Sequence, residues 1–226
     1  MTFVANYAVL PAYRGNGVGR KVWTAVMERA GDVNVILDAV PDMLDWYMRN
    51  GFPVKGDTTS YYHVTVTSEM LVPTPVPATS CSVEPLDDQL WPGVVRLDQL
   101  TYPSPGREPI LRAFLVGDGI HTLVARAAGH VVGFGSIHKM WEGHFGLRCV
   151  LAQDAHTADQ LIRGLLSDLN LRVGNVVHFP LVGDAAPPGV LALGAVEHVI
   201  TVTRLYSKHL IPIRHKNIWI PVSDIA

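Results

Sequence analysis

Apolar positions along the first seventy residues switch between two periods. Thr2–Leu10 and Ser60–Thr67 are rich in β-formers and read as strands. Val33–Val40 is an unbroken β-branched apolar run, expected of a strand covered on both faces. Between them, Val22, Trp23, Val26 and Met27 form a stripe at helical spacing, which predicts a helix over about Val18–Ala30. Gly31-Asp32 closes it. Pro41 opens a short helix over Asp42–Asn50, and Gly51 is its C′ residue. The order is strand, glycine loop, helix, strand, helix, strands.

A break follows at Leu71–Ser80. Pro73, Pro75 and Pro77 remove backbone donors at alternate positions and favour polyproline II, so this stretch is a semi-rigid linker. It divides the chain into residues 1–70 and 81–226. The second segment begins with a strand (Cys81–Glu84) and helices over Asp88–Leu100 and Glu108–Val116. Strands His121–Ala127 and His130–Lys139 join at a hairpin turn, Ala128-Gly129. Then come a strand (Phe145–Leu151), a helix (His156–Leu171), a strand (Asn175–Val182), a short helix (Pro188–Leu193) and strands over Glu197–Tyr206 and Lys216–Pro221. The fold class is α/β, a mixed sheet with helices on both faces, occurring twice.

Chemistry enters at the junction Val9-Leu10-Pro11-Ala12-Tyr13-Arg14-Gly15-Asn16-Gly17-Val18-Gly19-Arg20. It lies between a strand and a helix. Glycines there let backbone approach an anion closely. N–H groups at a helix start, and the helix dipole, favour phosphate. Arg14 or Arg20 can add charge-assisted bonds. Other phosphate loops fit less well. A Walker loop needs Gly-Lys-Ser/Thr, whereas Arg20-Lys21 follow Gly19. In the dinucleotide fingerprint the third glycine would come one residue later. A glycine turn that merely links strand to helix is the plain alternative.

Composition narrows the class. Of 226 residues, 48% are apolar and 17% charged, which fits a packed core. The net charge of −2 and the absence of a basic block argue against a nucleic-acid partner. No apolar run approaches the ~20 residues of a membrane span. Cys81 and Cys149 have no spacing partner and read as buried small hydrophobes in a reducing compartment. A soluble cytoplasmic protein is the expectation. The ten histidines, including His209 and His215, lack metal spacing, so no metal is expected.

Downstream of the loop, Leu37-Asp38-Ala39 is followed by Trp46-Tyr47-Met48-Arg49-Asn50-Gly51-Phe52. Together with Val9-Leu10-Pro11-Ala12-Tyr13-Arg14-Gly15 and Arg14-x-x-Gly17-x-Gly19, this resembles the GNAT acyltransferase superfamily over residues 7–52. Leu37-Asp38-Ala39 is similar to the tandem subgroup, whose second domain is itself GNAT-like. The resemblance implies acetyl-CoA as co-substrate. Gly15, Asn16, Gly17, Val18, Gly19 and Arg20, with Arg14, would hold its pyrophosphate. Val9 and Leu10 would pair the pantetheine arm, and the N–H near Val9 would polarise the acetyl carbonyl. Tyr47 would protonate the departing thiolate as general acid; as a plain alternative it is a core tyrosine. The implied reaction is acetyl transfer to an amine of a small molecule or peptide. The rival readings are a non-catalytic CoA-binding or scaffold protein and a nucleotide- or NAD-binding protein. No general base is obvious; Asp38 is a candidate, with a structural cap as its plainer role.

The second segment shows the same element order with the parts removed. Setting Val150-Leu151 against Val9-Leu10 places His156, Ala158 and Gln160 opposite the three glycines. Asp154 and Asp159 would repel pyrophosphate, and Val190 stands where Tyr47 would. This copy is expected to be structural or to shape an acceptor site; Asp98–Pro103 could line one. The first segment lacks the strands and helices that precede the loop in a GNAT domain, so residues 3–10 would be an exposed edge. Three explanations follow: the chain is a fragment of a longer protein, which is slightly favoured; the second domain or another chain, as in a homo-oligomer, covers the edge; or the protein is no longer catalytic.

Overall fold

The structure, a computed structural model, describes residues 2–5, 7–68, 81–102, 106–169, 171–182, 196–211 and 218–220. The elements are β1 (Thr2–Phe3), α1 (Val18–Ala30), β2 (Val35–Ala39), α2 (Pro41–Arg49), β3 (Val54–Thr65), β4 (Ser82–Pro85), α3 (Trp91–Thr101), α4 (Glu108–Leu115), β5 (Ile120–Ala127), β6 (His130–Lys139), β7 (His144–Ala152), α5 (Ala155–Asp168), β8 (Val176–Val182), β9 (Val196–Tyr206) and β10 (Ile218–Ile220). A 3-10 turn, Pro11–Tyr13, precedes α1. The Pro-rich stretch 71–80 and the helix expected at 188–193 lie outside the described residues.

Two compact units emerge. One holds the residues up to Thr58 together with Thr201–Ile211; the other holds Thr59–Ile200 and the β10 segment. β9, assigned by the sequence pattern to the second segment alone, therefore divides. Its second half pairs with β2, Ile36 to Tyr206 through Ala39 to Thr203. Alternation marks β9 as a strand but carries no information about which strand it joins.

In the first unit the strand order is β1-β2-β9-β3. β1 pairs with β2 in parallel through Thr2–Val35 and Phe3–Ile36, and Val4 N–H adds a further bond to Ile36 O at 2.9 Å. The strand expected over Thr2–Leu10 thus stops early, because residues 7–10 leave the ladder. α1 and α2 both pack on the face formed by Val35, Leu37 and Ala39, enclosing Trp23, Tyr47 and Phe52. Trp23 meets Tyr7, Trp46, Tyr47 and Phe52 at centroid distances of 5.3 to 5.6 Å. The inward stripe of α1 is Trp23, Met27 and Ala30, at i, i+4, i+7. Val22, expected on it, is 44% exposed. It neighbours Trp23 in sequence, which on a helix turns it about 100° away from the buried face.

On the opposite face of β2, Asp38 and Arg204 are direct cross-strand partners. Two bonds of 2.8 Å, from Arg204 Nε and Nη2 to the two carboxylate oxygens, join them. Gly31 and Gly51 have φ of 60° and 107° after the two helices. Both values are disfavoured for a side-chain-bearing residue, which explains glycine at each helix end.

In the second unit the strand order is β9-β3-β8-β7-β6-β5-β4, with β10 on β7. β4 to β7 are successively antiparallel, and β7 and β8 are parallel. Helices cover both faces here. α3 and α4 bury Val94, Leu97, Leu111 and Leu115 against Val124, Phe134, Cys149 and Leu151. α5 buries Ala158, Leu161, Ile162 and Leu165 on the face that holds Ala125, Ile137 and Val150. The Ala128-Gly129 turn has positive φ at both positions, 48° and 80°, as a type I′ hairpin requires.

Among the described residues, no helix is long and apolar enough to cross a membrane.

Candidate functional site

The geometry around the glycine loop begins with the departure of residues 7–10 from the sheet. Among the described residues of this segment, none after Val4 bonds the neighbouring parallel strand, β2. Burial still alternates, with Tyr7 and Val9 turned inward and Ala8 and Leu10 outward, so the backbone stays extended. The carbonyl of Val9 accepts from Arg14 Nε–H at 2.8 Å, and that of Leu10 accepts from Tyr13 N–H at 2.9 Å. Among the described residues the N–H groups of Val9 and Leu10 have no hydrogen-bond partner. An extended stretch with unpaired amides beside a departing parallel strand can take up another amide-bearing chain.

Gly15 and Gly17 adopt φ of 80° and 75°, and Gly17 is the N-cap of α1 with no side-chain cap. Lys21 is the first residue whose N–H returns to the helix entry, bonding Gly17 O at 3.1 Å. The N–H groups of Val18, Gly19 and Arg20 are left pointing outward with the positive end of the helix dipole. Gly19 has a different reason to be glycine. A Cβ there would lie 2.8 Å from the Tyr7 hydroxyl and 3.3 Å from Val9 Cγ2, so α1 touches the extended segment directly. Arg14 ties the loop to that segment through Val9 O, an alternative use for a guanidinium expected to meet phosphate. Leu10, Tyr13, Val18 and Val22 are exposed apolar side chains around this loop.

Tyr47 projects from α2 into the aromatic cluster and is 8% exposed. Burial raises its hydroxyl above the ordinary tyrosine range, and the nearby Tyr7 hydroxyl adds to the shift. Tyr47 therefore holds its proton at neutral pH. Tyr7 links the parts: its ring lies 5.4 Å from Trp23 and 6.4 Å from Trp46, and its hydroxyl reaches the first turn of α1. The sequence pattern treats Tyr7 only as a strand residue. Its inward register shared with Val9 is the one local sign of a larger role.

Several expected chemical groups have structural partners instead. Asp38, weighed as a base, is 3% exposed at its side chain and held at both oxygens by Arg204. It acts as a cross-strand ion pair, not as a cap. Asp98 is buried and receives Arg107 Nε–H at 3.0 and 3.2 Å; Pro103 lies outside the described residues. Cys81 and Cys149 are both buried, and burial raises both thiols.

Among the described residues no group of three or more potential ligands is placed to hold a metal. His144 Nδ1 and His178 Nε2 are 2.9 Å apart, and the His63 ring lies 5.7 Å from that of His178. His215 falls outside the described residues.

His138 yields a pH prediction. Burial, reinforced by the Arg148 guanidinium that donates to its Nε2 at 2.9 Å, lowers it from 6.5 to about 4. The unfolded chain takes up a proton near pH 6.5 that the folded chain refuses until about pH 4. This contribution to stability is complete above pH 6.5 and is lost as pH falls through that window. Burial lowers His178 in the same direction. Urea unfolding at pH 7 and pH 5 should show a smaller loss for His138→Asn than for the parent; equal losses would remove His138 as a cause.

The arrangement defines a class. Comparisons with known proteins find the same arrangement in the GNAT fold. Residues 1–52 match the family model described as Acetyltransferase (GNAT) family. Among solved structures, a Pyrococcus horikoshii protein aligns with a TM-score of 0.66 at 18% identity, covering 95% of this chain and 68% of its own. A GCN5-related N-acetyltransferase from Sphaerobacter thermophilus aligns at 0.64 and 15% identity, covering 96% and 73%. A tandem GNAT protein from the clavulanic acid biosynthesis pathway aligns at 0.64 and 14%, covering 91% and 74%. No curated protein matches this sequence. The chain thus has a GNAT-family segment at residues 1–52 and a GNAT-like fold over most of its length.

Proposed function

We propose that the first unit binds acetyl-CoA and transfers its acetyl group to an amine by direct attack, without a covalent enzyme intermediate. The observation that carries this is the departure of residues 7–10 from β2 immediately before a helix entered through two left-handed glycines. The outward N–H groups at Val18–Arg20, preceded by Gly15, Asn16 and Gly17, suit a pyrophosphate. The unpaired amides of Val9 and Leu10 suit the amides of pantetheine. Acyl transfer builds negative charge on the carbonyl oxygen, which the N–H near Val9 would stabilise. The departing thiolate needs a proton, and Tyr47 holds one at neutral pH. Arg14 and Arg20 would contribute positive charge at the phosphates. The amine acceptor, small molecule or peptide, would enter from the variable loops of the fold. We place the reaction in the cytoplasm. The division at the Pro-rich stretch, with a cofactor-binding half before it and a GNAT-like half after it, belongs to the same proposal, as does a partner surface, in the same chain or a second copy, over the β1 edge.

Tyr47→Phe keeps the ring that packs on Trp23 and Phe52 and removes only the hydroxyl. It should lower kcat by about 10²-fold, the lower range for general acid catalysis, and leave acetyl-CoA affinity within about twofold. Steady-state kinetics with a primary-amine panel and calorimetry on the same variant check this. Unchanged kcat would remove Tyr47 from the mechanism and leave the cofactor site standing.

A further inference from the structure

β7 and β8 repeat, in the second unit, the parallel pair that separates in the first. His144, Phe145 and Gly146 pair with Val176, Val177 and His178, and the ladder then ends. Two residues later Arg148 is the extra residue of a bulge: Ile137 faces Leu147 while Ser136 faces Cys149. Such a bulge bends its strand. Beyond it β6 keeps one edge of β7, through Gly135–Val150 and Phe134–Leu151. The other edge, given up by β8, is taken by β10. Ile218 pairs with Leu151 and Ile220 with Val150, antiparallel. Trp219 Nε1–H donates to Ala152 O at 3.1 Å, and Ile220 is completely buried in the core of this unit.

The helix entry is filled as well. Asp154 caps α5, accepting from Thr157 N–H at 2.8 Å and from Thr157 Oγ1–H at 3.0 Å. At the corresponding place in the first unit Gly17 offers no side chain, and among the described residues no strand occupies the edge left open after Val4.

We infer that β10 is a built-in occupant of the groove between β7 and β8. It holds the place that a pantetheine chain would hold in the first unit, and the Asp154 carboxylate stands where the pyrophosphate would. The second half of this inference rests on the acetyl-CoA reading of the first unit. The groove is therefore a strand-binding site whose ligand is the chain's own Ile218–Ile220, and the chain takes up one cofactor molecule, not two.

Full-length protein carrying Trp219→Ala and Ile220→Asp tests this by hydrogen exchange. Amides over residues 147–152 should exchange at least about tenfold faster, while those of the β5–β6 hairpin stay protected. A synthetic peptide of residues 214–223, added to this variant, should restore protection saturably, and the same peptide with Ile220→Asp should not. Trp219→Phe, which removes only the bond to Ala152 O, covers the case in which the double variant fails to fold; it should speed exchange over the same residues by a few-fold. Unchanged exchange at 147–152 in both variants would overturn the inference, as would two acetyl-CoA equivalents bound by the parent. Absence of any acetyl-CoA binding would sink the reading of the first unit, and the exchange result would still decide the seat of β10.

Discussion

Gly17→Glu should abolish measurable acetyl-CoA binding, weakening it by at least about 100-fold. Gly17 sits at φ 75° as the N-cap of α1, with the N–H groups of Val18, Gly19 and Arg20 directed outward beyond it. Hydrogen bonds from such groups to a charged partner contribute about 1.5–3 kcal/mol each, so losing two of them accounts for the expected factor. The glutamate also sets a negative charge where the phosphates would lie. Left-handed backbone costs a side-chain-bearing residue about 1–2 kcal/mol, so a modest fall in thermal stability should accompany the loss. Gly17→Asn separates the causes. Asparagine tolerates this conformation and brings no charge. It should keep the fold and stay within about tenfold of parent affinity. Equal loss in both variants would point to backbone strain in place of electrostatics.

Asp38→Ala should destabilise the protein by about 3 kcal/mol and leave cofactor affinity unchanged. Removing one member of a buried ion pair strands the other charge, at a cost of about 3–5 kcal/mol. Arg204 is 24% exposed, which puts this case at the lower end. Replacing both partners with apolar residues, Asp38→Leu with Arg204→Met, should recover most of the loss, because the stranded guanidinium accounts for it. Chemical denaturation of the three proteins checks the energetics. A fall in kcat larger than the fall in folded fraction would return Asp38 to the list of catalytic groups.

The elements were legible in the chain to a far greater extent than their partners. Hydrophobic period located α1 at about Val18–Ala30, the helix read over Glu108–Val116 is α4, and turn chemistry located the hairpin at Ala128-Gly129, because each depends on neighbours within a few residues. The glycine loop was legible for the same reason. Pairing across 166 residues, as between Asp38 and Arg204, leaves no local period, and β9 gave no sign that it would divide between two units. Residues 7–10 look like the continuation of a strand, since alternation reports extended backbone whether or not a ladder holds it. Tyr7 escaped notice because its contacts with Trp23 and Gly19 of α1 and with Trp46 of α2 come from two other elements. Asp154 was read in the sequence as a charge against phosphate; the structure shows it as the cap of α5.

The central claim is that the first unit is an acetyl-CoA site, and calorimetric titration of acetyl-CoA into the unmodified chain tests it most directly. Saturable binding near one equivalent, displaced by CoA and undisturbed by NAD, is the predicted result. No heat at micromolar protein and millimolar acetyl-CoA, or displacement by NAD, would contradict it.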